Sequence, residues 1–135
     1  MPKATAREKL AREKQIKKVI MDKAWAGIQP GQTMLVATPL MVDAYIRDIP
    51  HGETKTIPEL RDDLAAREGC AATCPMSTSI FVRMVAEAAL EDIADGKAVS
   101  EVSPFWRVIT GQDKMTKKLN VDAAWVDEQR QLEIG

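Results

Sequence analysis

The stretch from residue 56 to residue 93 constrains the fold most. Thr56-Ile57-Pro58-Glu59 has the form of a capping box. The Thr56 hydroxyl can accept from the amide of residue 59, and the Glu59 carboxylate can reach back to the amide of residue 56. Leu60 and Leu64 then fall on one helical face, and Gly69 is a natural end. After the loop GCAATCP (69–75), Ile80, Phe81, Met84, Val85, Ala88, Ala89 and Ile93 repeat at helical spacing, up to Asp95-Gly96. This predicts a second helix over 77–93. With the other elements below, these helices make a mainly α chain with a few short strands. Followed by a strand and a turn, they resemble a winged helix-turn-helix, with a connection longer than the usual three or four residues.

The remaining elements follow from the same signals. The spacing of Ile16, Val19, Ile20 and Ala24 gives a narrow apolar stripe, so residues 3–26 read as a helix whose first half is thin in apolar side chains. IQPGQ (28–32) breaks it. Residues 34–37 form a short apolar strand. Thr38 can cap and Pro39 can sit at the first helical position, with Val42, Tyr45, Ile46 and Ile49 on one face. Residues 105–110 are aromatic and β-branched, which predicts a strand with Phe105 and Trp106 on opposite sides, one facing the core. GQDK (111–114) is a turn, and Asn120 is placed to cap a last helix through about residue 133.

The charge is unevenly distributed. Residues 1–25 carry eight Lys/Arg against three acidic side chains, a net +5, while the other 110 residues carry a net −6. The chain therefore divides into a basic helical arm, 1–27, and an acidic body, 28–135. Such an arm suits nucleic acid or an acidic surface. No apolar run approaches the ~20 residues of a membrane helix. The N-terminus lacks the apolar core of a secretory signal. Cys70 and Cys74, the only cysteines, make neither a disulfide framework nor, with His51 alone to add, a zinc set. These features point to the cytoplasm, with no membrane, metal or cofactor. The acids Glu59, Asp62 and Asp63 suit the start of a helix dipole.

Three segments, read in order, resemble the C-terminal DNA-binding domain of the alkylguanine-DNA alkyltransferases (methylated-DNA–protein-cysteine methyltransferases). The first is Ile49-Pro50-His51-Gly52-Glu53-Thr54-Lys55-Thr56-Ile57-Pro58-Glu59-Leu60, against the family's segment entering its helix-turn-helix. The second is the helix 77–93, at the place of the recognition helix. The third is Ser103-Pro104-Phe105-Trp106-Arg107-Val108-Ile109, against the family's Pro-Cys-His-Arg-Val. The resemblance runs from about residue 33 to residue 118. It implies a winged helix-turn-helix that meets duplex DNA through Thr56, Ser77, Thr78, Arg83 and Arg107, where Ser77 and Thr78 suit helix capping first and phosphate second, and Arg107 is either a structural residue or a backbone contact. Ile57, Phe105 and Trp106 would stand at the equivalents of the lesion pocket.

The same alignment implies no catalysis. Alkyl transfer needs a cysteine thiolate and a histidine to activate it. Phe105 stands at the cysteine position, Trp106 at the histidine position and Ile57 at that of the nucleotide-rotating tyrosine. The pattern is similar to the alkyltransferase-like proteins, which lack the cysteine and bind alkylated DNA. In the family an arginine fills the space of the extruded base. Arg83 takes that place if the run Arg83-Met84-Val85-Ala86 is aligned, and Met84 if the helix ends are. Duplex DNA, bound weakly and with strong salt dependence, is the expected partner. The alternative is a protein-interaction module, to which Glu87 and Glu91 on the second helix would be better suited than to phosphates.

Overall fold

The structure, a computed structural model, describes residues 5–11 and 15–134. It is mainly helical. Five α-helices are α1 (Ala6–Ala11), α2 (Pro39–Asp48), α3 (Ile57–Arg67), α4 (Pro75–Ala94) and α5 (Ala123–Ile134). Three short strands, β1 (Lys17–Ile20), β2 (Thr33–Val36) and β3 (Ala72–Thr73), form one sheet in the order β1-β2-β3. The first pair is antiparallel and the second parallel. Three 3-10 turns, Val99–Glu101, Phe105–Arg107 and Thr116–Lys118, lie in the chain between α4 and α5.

The helix starts are set locally. The Thr38 hydroxyl accepts from the amide of Met41, with Pro39 in the first turn of α2. Both halves of the capping box form on α3: Thr56 Oγ1 accepts from Glu59 N at 3.2 Å, and Glu59 Oε1 from Thr56 N at 3.0 Å. Gly69 and Gly96 follow α3 and α4 with positive φ, as chain reversals there require. Around α4 lies the core. Val82, Val85, Ala86, Ala88 and Ala89 are buried with Val42, Tyr45, Ile46 and Ile49 of α2 and Leu60 and Leu64 of α3. The small residues at 86, 88 and 89 let α1 and α2 approach α4 closely. The Tyr45 hydroxyl donates to Asp63, and burial, then that carboxylate, raises its pKa and keeps it a neutral donor.

Three expectations are corrected. The first concerns residues 3–26, which are not one helix. Residues 1–4 and 12–14 lie outside the described residues, but α1 ends at Ala11 and Lys17–Ile20 is a strand. The segment packs on the body: Leu10 is fully buried in the core and Ala6 N donates to Glu91 at 2.7 Å. The stripe Ile16, Val19, Ile20 is exposed rather than buried, since its β-branched residues pair with β2 instead of coiling.

The second correction is at 105–110, where there is no strand. Phe105–Arg107 is a 3-10 turn, and both Phe105 and Trp106 are buried. Phe105 meets Trp106 edge-on at 5.3 Å and stacks on Trp125 of α5 at 6.3 Å, while Trp106 meets Trp125 edge-on at 5.8 Å. A three-ring cluster needs both side chains on the same side, which a strand cannot supply. Thirdly, the expected cap of the last helix moves from Asn120 to Asp122, whose carboxylate accepts from Ala124 N.

Candidate nucleic-acid interface

The outer face of α4 is polar and apolar in turn. Met76, Ile80, Arg83 and Glu87 follow one another at spacings of three or four residues, with Met76 64% and Ile80 53% exposed. Ile80, expected on the buried stripe, therefore belongs to this outer face. Along it runs a groove of about 450 Å³, whose wall facing Ser79, Ile80 and Arg83 is made by Ile57 and by Asp113, Lys114, Met115 and Lys118. The capping box fixes Ile57 in the first turn of α3, half-buried and leaning on the core. Arg83 pairs with Glu87 at 3.3 Å, and both side chains remain 43% exposed.

The lysine wall is held from behind. Asp113 Oδ2 accepts from Thr110 N at 2.6 Å and from Thr110 Oγ1 at 3.1 Å. The Thr116 hydroxyl donates to the Thr110 carbonyl at 2.6 Å, and Gly111 N to Asp127 Oδ1 of α5 at 2.8 Å. Asp113 is thus engaged within its own loop. Lys114, Lys117 and Lys118 are exposed and, among the described residues, make no ion pair. The groove therefore combines ammonium and guanidinium groups with an apolar floor of Ile57, Ile80 and Met115.

The structure brings together only some of the residues picked out from the sequence. Ile57 and Arg83 line the groove, and Met84 is half-buried against the core, so Arg83 is the side chain presented outward. Thr56 is exposed at the rim, its oxygen already capping α3. Ser77 is half-buried, and its Oγ has no hydrogen-bond partner. Thr78 is a correction: it is buried, and its hydroxyl donates to the Cys74 carbonyl at 2.6 Å, which removes it from any surface contact. Arg107 is a second. Its side chain is 12% exposed, bidentate on Glu133 at 2.7 and 2.9 Å, and donates to the Ile49 carbonyl at 2.6 Å.

Phe105 and Trp106 are a third correction, as they do not face the groove. Trp106 borders a separate cavity of about 510 Å³ with Arg47, His51, Arg107 and Glu133. There burial alone would raise the Glu133 pKa. The hydrogen bonds from Arg107, the nearby indole N–H of Trp106 and the charges of Arg107 and His51 outweigh it and leave the pKa lowered. The indole N–H makes no hydrogen bond of good geometry despite that proximity.

Lys114, Met115, Lys117 and Lys118 were not singled out from the sequence. Their signal was present as three lysines in the five residues 114–118, beginning at the last residue of the turn. Summing charge over the whole body, which is net negative, averaged it away. No helix among the described residues is long and apolar enough to cross a membrane. No protein-family model, no curated protein and no solved structure matches this chain.

Proposed function

We propose that this chain is a non-catalytic, alkyltransferase-like DNA-binding protein of the cytoplasm, with a role in recognising alkylation damage for DNA repair. In this reading α3 and α4 act as the helix-turn-helix, and the 3-10 loop at 113–118 does the work of a wing. One observation carries it. Ile57 and Arg83, which the resemblance assigns to nucleotide handling, converge on one groove with an unpaired lysine cluster that the resemblance did not supply. Phosphate neutralisation is the main source of non-specific affinity, and Arg83, Lys114, Lys117 and Lys118 are the groups in place for it.

The test is fluorescence anisotropy on the intact protein with plain and alkylated duplexes. The four groups at the groove alone contribute about −3 to −4 to the slope of log K against log salt, hence at least about a hundredfold loss of affinity between roughly 50 and 200 mM salt. Micromolar binding at the lower salt is expected. Charge reversal of Lys114 and Lys118 to Glu should make the slope shallower by about 2. The exposed Met76 and Ile80 favour a second reading, a protein-interaction face. Absence of duplex binding at low salt ends the DNA reading in favour of that one.

No alkyl transfer to the protein is expected. Phe105 is a buried hydrocarbon, Cys74 is buried at the start of α4, and Cys70 lies half-buried beside the end of α3. Intact-mass spectrometry after incubation with methylated DNA should show the mass unchanged. A stoichiometric gain on either cysteine refutes the non-catalytic reading.

A further inference from the structure

We infer that the β1–β2 hairpin is a second DNA-contacting element, meeting the duplex backbone at the N-terminal end of α4, one helical turn from the groove that the lysine loop lines; this rests on the reading above. Every residue of β1 is exposed, and residues 15–28 carry Lys17, Lys18 and Lys23 against the single acid Asp22. Ile16, Val19 and Ile20 are exposed between these charges. Such an edge is a poor component of a core and a suitable one for a polyanion, whose phosphates take the ammonium groups.

The hairpin tip has a defined turn and a buried anchor. Trp25 and Ile28 exchange backbone hydrogen bonds at 2.9 and 2.8 Å around Ala26 and Gly27. Both central residues have positive φ, 51° and 82°, the signature of a type I′ turn. Ile28 is buried with Met34 and Cys74 in a small second core. That anchor fixes the tip against the first turn of α4, where Ala26 and Ile28 share a cleft of about 140 Å³ with Arg61, Asp62 and Pro75. Trp25 is 41% exposed and, among the described residues, touches no other aromatic ring.

The placement relates this tip to the groove. Pro75 beside the hairpin and Ser79 in the groove are one turn apart on the same face of α4. Arg83 lies about 12 Å further along the axis than Pro75, at ~1.5 Å per residue. That span exceeds the ~6 Å width of a minor groove. A duplex lying along this face of α4 is long enough to meet the lysine loop and the hairpin tip together. Trp25 offers an indole N–H to a phosphate and a flat face to a deoxyribose, and the hairpin lysines add phosphate contacts.

The experiment uses the full chain and a plain duplex at about 50 mM salt, where such contacts are strongest. Lys17→Gln/Lys18→Gln/Lys23→Gln should lower affinity at least about tenfold and make the salt slope shallower by about 2. Trp25→Ala should cost about tenfold with the slope unchanged. In the unaltered protein, acrylamide quenching of the fluorescence that Trp25→Phe removes should fall when DNA binds, a readout that needs no destabilising substitution. Normal binding by both hairpin variants, with binding lost on Lys114→Glu/Lys118→Glu, overturns the inference and leaves the reading intact. Failure of the unaltered protein to bind any duplex removes both. A sedimentation-detected dimer that the lysine variant abolishes, with DNA affinity unchanged, overturns the inference in favour of pairing between two β1 edges.

Discussion

Arg107→Ala is expected to destabilise the fold by about 3–5 kcal/mol, as removal of one partner from a buried ion pair does. The guanidinium uses one edge on both oxygens of Glu133 in the last turn of α5, and its remaining nitrogen on the Ile49 carbonyl at the end of α2. Its own carbonyl accepts from Lys55 N at 2.8 Å, just before α3. The side chain therefore ties the ends of α2 and α5 to the turn at 105–107, while the Arg107 backbone holds the segment before α3. Alanine would leave a carboxylate that is only 13% exposed without its counter-charge, and a backbone acceptor without its donor. Arg107→Lys should recover only part of the loss, because an ammonium cannot reproduce the planar fork. Arg107→Met/Glu133→Leu should be less damaging than Arg107→Ala alone, since it removes both charges together.

Urea denaturation across pH gives the check. The Glu133 pKa is lowered from its ordinary 4.5. A carboxylate with a depressed folded-state pKa contributes stability that is fully present above the unfolded value and lost as the pH falls through the folded one. The gap between the unaltered protein and Arg107→Ala should thus be full near neutrality and shrink in acid below about pH 4.5. A gap under about 1 kcal/mol at neutral pH would place this pair with ordinary surface salt bridges and refute the argument.

Gly111→Ala should cost about 2–4 kcal/mol through overlap in a packed site. Gly111 is buried, and a Cβ built on it would overlap the Ala123 carbonyl oxygen and the Asp127 carboxylate. The first of these is backbone at the start of α5 and cannot swing aside. The Gly111 amide also donates to Asp127, so relief of the overlap pulls that hydrogen bond apart. Gly96→Ala is the control. It has open space around it but φ of +101°, so it pays only for backbone conformation, about 1 kcal/mol. If thermal or urea midpoints rank the two variants the other way, close packing of the 111 loop on α5 is wrong. On the proposed DNA-binding reading, Gly111→Ala that still folds should bind DNA more weakly than the unaltered protein, because the 111 loop leads into Lys114 and Lys118.

These two sites show where sequence reading stops. Nothing local marks Arg107 as the partner of Glu133, 26 residues away, or Gly111 as the neighbour of Ala123. Both became legible only when α5 packed against the 105–111 segment. The groove was half legible. Ile57 and Arg83 were reached through resemblance, while the lysines opposite them sit in a loop whose direction depends on Asp113, Thr110 and Asp127.

The sequence by itself determined α2, α3 and α4, because their signals are short-range. Thr38-Pro39, the Thr56 and Glu59 pair, and the glycines at 69 and 96 satisfy or reverse the chain within a few residues. Tertiary structure alone decided residues 16–25 and 105–110. At 16–20, the helical spacing and the β-branched residues favour different states, and pairing with β2 selects the strand. At 105–110, a strand would have separated Phe105 from Trp106. Gathering both against Trp125 buries three rings at once, and that gain exceeds the local preference of the run for extended backbone.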